Sequence, residues 1–297
     1  MEDTFLLATI AAFLGGSVGI AAKIALVVFH PLTLIFIRFF FATLFLWPFM
    51  ARSEKISLAA FKKFIPVGVV GALNPILLFI ALQFTQVSVS PLIYAGVPAM
   101  TAFYFFILHG RKLNFRNSLG ILIGFIGVCL IIALPLMQKQ IDVSAMSGNA
   151  LILLAAIAFM IYGLMSKHHS QHSQASPMVL TFYFSLTALF FSFPFAVFEI
   201  VKYGMPTGIN LSQTFCAIYL GTFGTGVFYL VYQRALKLSS ELAASLFLYL
   251  QPIATIGLAA VFLGERISLP LIFGGVLAII GARLAGTKKM EKVAEVE

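Results

Sequence analysis

The side chains that could bind a ligand are few in this chain, and the strongest candidates interrupt long apolar stretches. Asn74 precedes Pro75 in one stretch, and Lys23 and Arg38 lie in two others. An amide offers donors and an acceptor, and a proline in a helix frees one backbone carbonyl. The Asn74-Pro75 pair could therefore bind an amide, hydroxyl or carboxylate, and the two cations could attract a carboxylate or phosphate. The alternatives are a bond from Asn74 to a neighbouring helix, and cations that extend to the lipid headgroups.

Tyrosines, amides and prolines at helical spacing form a second candidate set. Tyr94 and Pro98 lie four residues apart, as do Gln251 and Thr255, so each pair shares one helix face. Such faces predict a polar, aromatic wall around a ligand, although any single tyrosine could instead pack and hydrogen-bond between helices. Together with Ser17, Lys23, Arg38 and Asn74, the predicted binding residues are Tyr94, Pro98, Thr101, Tyr162, Tyr229, Tyr249, Gln251 and Pro252.

Two glycine-rich patterns resemble functional motifs but have simpler interpretations. Residues 15–19 read G-x-S-x-G around Ser17, and a hydrolase with that motif needs a strand-to-helix turn and a base within reach. The segment here is apolar and helical in character, and the nearby histidine, His30, lies at its far end. Residues 221–226 resemble a nucleotide-binding loop, but they lie inside an apolar span without a preceding strand. We expect close helix packing through small residues at both places.

Three histidines have the spacing of a metal site on one helix face. His168, His169 and His172 include i,i+3 and i,i+4 pairs. They follow Lys167 in a polar connection, so we expect solvated loop histidines. From the simpler interpretations of the glycine-rich patterns and of the histidines, we predict no enzyme activity, catalytic residue, metal site or cofactor. A membrane-embedded enzyme and a metal-ion carrier that uses the His168–His172 loop stay as alternatives.

These candidates lie on segments long enough to cross a bilayer. The 297-residue chain is 61% hydrophobic and 10% charged, whereas soluble domains are roughly 45–50% apolar and about 25% charged. A spanning helix needs about 20 apolar residues, which favours an all-α polytopic membrane protein. The ten predicted spans are 5–29, 32–51, 64–84, 88–109, 116–136, 148–168, 176–201, 213–235, 240–263 and 267–285.

The spans repeat as two units of five. Pro98 and Pro252 lie 154 residues apart near the middle of spans four and nine, and the same offset relates Thr101 to Thr255. Because each unit has an odd number of spans, the two copies are inverted relative to each other, as in carriers that bind their substrate at the repeat interface. The predicted organisation is a first repeat over 1–136, a loop over 137–147, a second repeat over 148–285 and a cytoplasmic tail over 286–297.

The distribution of charge predicts the orientation. With the N-terminus inside, fourteen Lys and Arg residues face the cytoplasm and three face outward, so both termini are predicted to be cytoplasmic. The basic residues are scattered over short loops, so the net charge of +9 does not indicate nucleic-acid binding. We expect the protein to lie in the cell (inner) membrane of a bacterium or an archaeon.

The acids indicate how transport would be coupled. All ten acids lie in the termini, in loops or near span ends, which favours a uniporter or exchanger over a carrier with a buried carboxylate relay. Glu241 is the candidate titrating acid, and its alternative role is a first-turn acid at a helix N-terminus.

Several segments resemble EamA domains. They are His30-Pro31-Leu32-Thr33 followed by Arg38-Phe39, Ala235-Leu236, Gln251-Pro252 and Leu263-Gly264-Glu265-Arg266-Ile267-Ser268. The chain resembles a ten-helix member of the drug/metabolite transporter superfamily with two EamA repeats. One departure, His109-Gly110-Arg111-Lys112 in place of Leu263-Gly264-Glu265-Arg266, fits the opposite orientation of the first repeat.

The resemblance implies a carrier of small organic metabolites. Similar proteins move amino acids, nucleotide sugars, phosphorylated sugars or amphipathic metabolites, many of them outward. We therefore predict alternating-access transport, with export of amino acids or related compounds. The expected partners are a small-molecule substrate and the lipid bilayer, without nucleic acid. The oligomeric state stays open and is compatible with a monomer.

Overall fold

The chain folds into helices joined by short connections. The computed structural model describes residues 2–53, 57–109, 115–133, 143–173, 175–238, 244, 247–265 and 268–285, and no strand occurs in these ranges. The helices are α1 (Glu2–Ala25), α2 (Pro31–Ser53), α3 (Leu58–Ala81), α4 (Val89–Tyr94), α5 (Val97–His109), α6 (Phe115–Ala133), α7 (Val143–Ser173), α8 (Pro177–Tyr203), α9 (Leu211–Gly221), a π-helical segment (Thr222–Val227), α10 (Phe228–Leu238), α11 (Phe247–Leu263) and α12 (Leu269–Ala285).

Local sequence explains several helix ends. Pro31 and Pro177 begin α2 and α8, where the missing proline N–H has no helical partner to lose. Asn210 and Gln213 form a reciprocal capping box at the start of α9. Gly204 follows α8 with φ of 87°, a left-handed conformation that glycine adopts at little cost.

Six helical stretches of the described chain are long and apolar enough to cross a membrane: Pro31–Arg52, Leu58–Ala81, Val89–Leu108, Val143–His172, Pro177–Tyr203 and Leu211–Leu238. Four shorter apolar helices are Thr9–Ala25, Ser118–Ile131, Leu250–Leu263 and Leu271–Gly281. The all-helical, strongly apolar character expected from composition is confirmed, and the count of ten spans stays a prediction.

The two proline-containing spans differ. The fourth span is broken between Tyr94 and Val97, and Pro98 lies in the first turn of the new helix α5. Pro252 lies inside α11, which continues past it. Only Pro98 therefore lies next to a break between two helices. A proline in the first turn loses no intrahelical bond, whereas one inside an apolar helix is tolerated when the neighbouring structure satisfies the freed carbonyl.

Packing distinguishes a central group of helices from a closely packed pair that also contacts α4 and α5. The central group has α1 against α9, α10 and α11, α2 against α8 and α9, and α3 against α7 and α8. Helices α6 and α12 pack on each other through glycines, since a Cβ on Gly127 would lie 2.7 Å from the Gly274 carbonyl oxygen. Small residues let two backbones approach closely in this way.

Candidate functional site

A cavity of about 50 Å³ lies inside the central helix group. One side is formed by α1 to α4 and the other by α7, the π-helical segment, α10 and α11. Its polar lining is Arg38, Asn74, Ser90, Tyr94, Tyr229, Gln251 and Thr255, and its apolar lining is Val18, Leu78, Phe159, Phe228, Phe247 and Leu248. Convergent polar groups in an apolar pocket are typical of a small-molecule site.

The glycines of α1 bring α11 close to this cavity. Gly15, Gly16 and Gly19 line the cavity, and a Cβ on Gly16 would lie 3.0 Å from the Ala254 Cβ. The Thr255 hydroxyl donates a hydrogen bond to the Gly16 carbonyl at 3.1 Å. The small residues around Ser17 therefore serve helix packing, as the sequence predicted.

Arg38 is the one charged residue of the described cavity lining. It lies on α2 with 3% of its surface exposed, and its Nε donates to the Thr225 hydroxyl at 2.5 Å. Its Nη2 donates to the Gly224 carbonyl at 3.0 Å, and the Phe79 ring centre lies 5.3 Å from its Cζ. The partners on the π-helical segment are neutral, so they orient the guanidinium without cancelling its charge.

Asn74 connects three helices at the cavity wall. The side chain is 6% exposed on α3. Its Nδ2 donates to the Tyr94 hydroxyl on α4 and to the Ala155 carbonyl on α7, the latter at 2.9 Å. Both amide hydrogens are therefore used, and Oδ1 has no hydrogen-bond partner among the described residues. The interhelical bond and the ligand-binding role predicted for Asn74 are thus compatible.

Aromatic rings enclose the second side of the cavity. Tyr229 is buried, with its ring centre 4.4 Å from Phe184 and 5.6 Å from Tyr162. Phe159 lies 6.0 Å from Tyr94 and 6.3 Å from Phe247. Sequence reasoning missed the phenylalanines because the chain has 32 of them, and their type alone does not separate cavity positions from lipid-facing ones.

The structure brings together part of the predicted binding set. Arg38, Asn74, Tyr94, Tyr229 and Gln251 line the cavity. Ser90 also lines it and was missed, because a lone serine near a predicted span end carries no distinguishing signal. The role of each residue in binding stays a prediction.

Other predicted residues have structural partners away from the cavity lining. Ser17 donates to the Leu14 carbonyl at 2.8 Å and lies 2.6 Å from the Tyr219 hydroxyl. The Lys23 ammonium donates to the Leu82 carbonyl and, at 3.1 Å, to the Thr85 carbonyl.

Five more positions complete the comparison. The Tyr162 hydroxyl accepts a bond of 2.8 Å from Gln233, and Thr101 donates to the Val97 carbonyl at 3.0 Å. Pro98 and Pro252 lie on α5 and α11 outside the lining. The Tyr249 side chain lies outside the described part of the structure.

Two carboxylates bind backbone N–H groups at helix starts. Glu199 on α8 accepts bonds from the Leu32 and Thr33 nitrogens, the latter at 2.7 Å. Glu265 accepts from the Val87 and Ser88 nitrogens at 2.6 and 3.0 Å. Anions stabilise helix N-termini in this way. Glu241 lies outside the described residues, and none of the described cavity-lining residues is acidic.

The histidines lie on a helix and not in a loop. Helix α7 continues to Ser173, so the prediction of a loop around His168 is wrong. The polar residues at this end continue the apolar helix for further turns. The His172 Nδ1 lies 2.8 Å from the His168 carbonyl oxygen. No group of three or more metal-binding side chains occurs within the described ranges.

Apolar helices of membrane-spanning length around a small polar cavity are typical of a multi-pass membrane transport protein. A model of the EamA-like transporter family matches residues 4–133 and 146–287. The chain belongs to this family, and the two matches confirm the predicted resemblance to a protein with two EamA repeats.

Curated relatives carry transporter names. The uncharacterized transporter YetK of Bacillus subtilis (strain 168) is 27% identical over 82% of this chain and 74% of its own length. An uncharacterized transporter of Archaeoglobus fulgidus is 24% identical over 97% of this chain and 99% of its own length. A solved crystal structure that is 17% identical superposes with a TM-score of 0.67, over 97% of this chain and 98% of the other. That last likeness shows a shared fold.

Proposed function

We propose that this transporter is an alternating-access carrier for a small organic metabolite, and that it exports amino acids or related compounds. The observation that carries the proposal is the cavity, whose lining comes from α1 to α4 in the first half and from α7, the π-helical segment, α10 and α11 in the second. A site formed by both halves of a chain can open to either side of the membrane when the halves rock against each other. Family membership supports the transport of a small molecule.

Helix contacts support two inverted repeats in ten spans. If α1, α2 and α3 correspond to α7, α8 and the α9–α10 span, the contact of α1 with α11 corresponds to that of α7 with α4 and α5. The contacts of α3 with α7 and α8 correspond to those of α9 with α1 and α2. The pairs α2–α8 and α6–α12 then map onto themselves, as expected for helices next to a pseudo-twofold axis.

The transport mode follows from the acids. The described cavity lining contains no carboxylate, and Glu199 and Glu265 cap helices. We therefore propose that the carrier is a uniporter or an exchanger. From the distribution of Lys and Arg, we propose that it lies in a cell (inner) membrane with both termini in the cytoplasm.

A ligand screen on the purified protein tests the proposal. Amino acids, sugar phosphates, nucleotide sugars and divalent metals are compared by thermal stabilisation, since a ligand at a hundredfold excess over Kd adds about 2.7 kcal/mol to the folded state. We expect stabilisation by one organic class and its loss in Gln251→Ala. The matched control is Gln171→Ala, an exposed glutamine on α7, which should retain the shift.

Transport in proteoliposomes gives the second readout. The ligand that stabilises the protein should be taken up by wild type and by Gln171→Ala, and poorly by Gln251→Ala. A folded protein that moves no member of the panel would overturn the carrier proposal. Stabilisation by divalent metals alone would instead favour the metal-carrier alternative.

A further inference from the structure

The cavity contains a buried positive charge, and we infer that the transported compound is a small organic anion whose carboxylate or phosphate binds Arg38. This inference rests on the proposed carrier function and names its substrate class. It starts from Arg38, the single cation among the described residues that line the cavity, and from the neutral groups that surround it.

The first step is the charge of Arg38, which no carboxylate of the described cavity lining balances. A guanidinium stays charged at physiological pH, and burying it without a counter-ion costs free energy. Arg38 is 3% exposed, and no described carboxylate lines the cavity. The oxygens of Glu199 and Glu265 bind backbone N–H groups elsewhere. An anion in the cavity would supply the missing negative charge.

The second step is the geometry of the free donors. A guanidinium has five N–H donors, and Arg38 uses one on Nε for Thr225 and one on Nη2 for Gly224. The Nη1 donors have no partner within the described part of the chain. Because Nε and Nη2 are held by the π-helical segment, the plane of the guanidinium is set before a ligand binds. A preset plane favours a planar carboxylate or a phosphate, which can accept paired hydrogen bonds.

The third step is the polarity around the charge. Asn74 uses its donors on Tyr94 and Ala155, which leaves its Oδ1 as an acceptor. The Tyr229 hydroxyl has no hydrogen-bond partner among the described residues, and Gln251 lines the same cavity. These neutral groups can bind a hydroxyl or an ammonium on the body of the anion. Hydroxy acids, amino acids and small phosphate esters have that combination.

Acid and neutral pairs test the charge requirement on wild-type protein. Lactate is compared with lactamide, N-acetylalanine with N-acetylalaninamide, and glycerol 3-phosphate with glycerol, by thermal stabilisation and by competition for uptake into proteoliposomes. We expect the anionic member of at least one pair to bind at least about tenfold more tightly, because hydrogen bonds to charged groups are the strong ones. The carboxylate and phosphate arms identify which anion is preferred.

The next experiment substitutes Arg38 and compares the result with the substitution of a second arginine on the same helix. Arg38→Gln should lose the anion preference by about tenfold or more, and Arg38→Lys should retain part of it as a point charge without the fork. The control is Arg52→Gln, since Arg52 is exposed in the last turn of α2, and it should bind the anion as wild type does.

The outcomes separate this inference from the carrier proposal. Equal binding of acid and neutral members, or an Arg38→Gln protein that keeps the anion preference, would overturn the anion inference while the carrier stands. Failure of the folded wild type to move any organic compound would overturn both. If Arg38→Gln does not fold, the wild-type comparison of acid and neutral pairs decides alone.

Discussion

At the scale of single residues, neutral polar groups hold the cavity together. Asn74 ties α3 to α4 through Tyr94 and to α7 through Ala155, and Thr225 holds Arg38 at 2.5 Å. Thr225 also donates to the Leu220 carbonyl at 2.9 Å, so its hydroxyl can accept from Arg38 while its own hydrogen is used. Side chains fixed by such bonds hold their cavity-facing atoms in place before a ligand binds.

The Asn74–Tyr94 bond gives a prediction about stability. Interhelical hydrogen bonds in membrane proteins average about 0.6 kcal/mol and reach about 1.7 kcal/mol. Asn74→Ala loses two such bonds, so we expect its free energy of unfolding to fall by about 1–2 kcal/mol. Tyr94→Phe loses one and should fall by less, with detergent-induced unfolding as the measurement. A double mutant whose loss equals the sum of the single losses would show that the two side chains do not interact.

Sequence reasoning could find part of the polar cavity lining, but not the partners of those residues. Arg38 and Asn74 were visible because charged and amide side chains are rare within apolar spans. The partners of Arg38 on the π-helical segment lie 186 and 187 residues away in the chain, and only the fold brings them together. Lys23 is also a cation within an apolar span, yet its ammonium donates to the carbonyls of Leu82 and Thr85 and it is not among the described cavity-lining residues.

At the scale of elements, the π-helical segment positions Arg38. Its wider turns present the Gly224 carbonyl and the Thr225 hydroxyl to α2, and such segments are frequent at functional sites. Close approach to α2 needs glycine, because a Cβ on Gly226 would lie 2.8 Å from the Phe45 Cδ1. The sequence predicted close packing here, but not the π-helical conformation, which depends on contacts with α2.

A pair of glycine substitutions tests this packing. Gly226→Ala should push the segment away from α2 and lower the free energy of unfolding by about 1–3 kcal/mol, the usual cost of overpacking. Gly257 on α11 has nothing within 4 Å of an added Cβ, so Gly257→Ala should leave stability unchanged or raise it by up to about 1 kcal/mol. Thermal unfolding measures both. Equal effects would mean that the close approach to Phe45 does not constrain the segment.

The loss should also appear at the cavity. If the π-helical segment positions Arg38, Gly226→Ala weakens anion binding as well as stability, and Gly257→Ala leaves anion binding as in wild type. If Gly226→Ala binds the anion as tightly as wild type does, the packing of the segment against α2 does not determine the position of Arg38.

At the scale of the whole molecule, the repeat links the sequence to the cavity. The offset of 154 residues between Pro98 and Pro252 places corresponding spans in both halves, and both halves line the cavity. The detail differs between halves because Pro98 begins a new helix and Pro252 lies within one. A repeat offset can predict which spans correspond, but not how the neighbours of each span shape its backbone.

Orientation is the whole-molecule property that the charge distribution predicts, and cysteine labelling can measure it. Replacing Cys129 and Cys216, the two cysteines of the chain, by serine gives a background without thiols. Met205 lies between α8 and α9 with 71% of its surface exposed, and Gln171 is exposed near the end of α7. These two sites lie at opposite ends of α8, so one should face outward and the other inward.

With most Lys and Arg residues in the cytoplasm, Met205→Cys should react with a membrane-impermeant maleimide on intact cells. Gln171→Cys should react only after the membrane is permeabilised, and each variant serves as the other's control. The reverse pattern would place both termini outside and would invert the side of the membrane that is nearer to Arg38, which lies in the second turn of α2. Labelling of both sites on intact cells would contradict a membrane crossing by α8 and with it the inverted arrangement of the repeats.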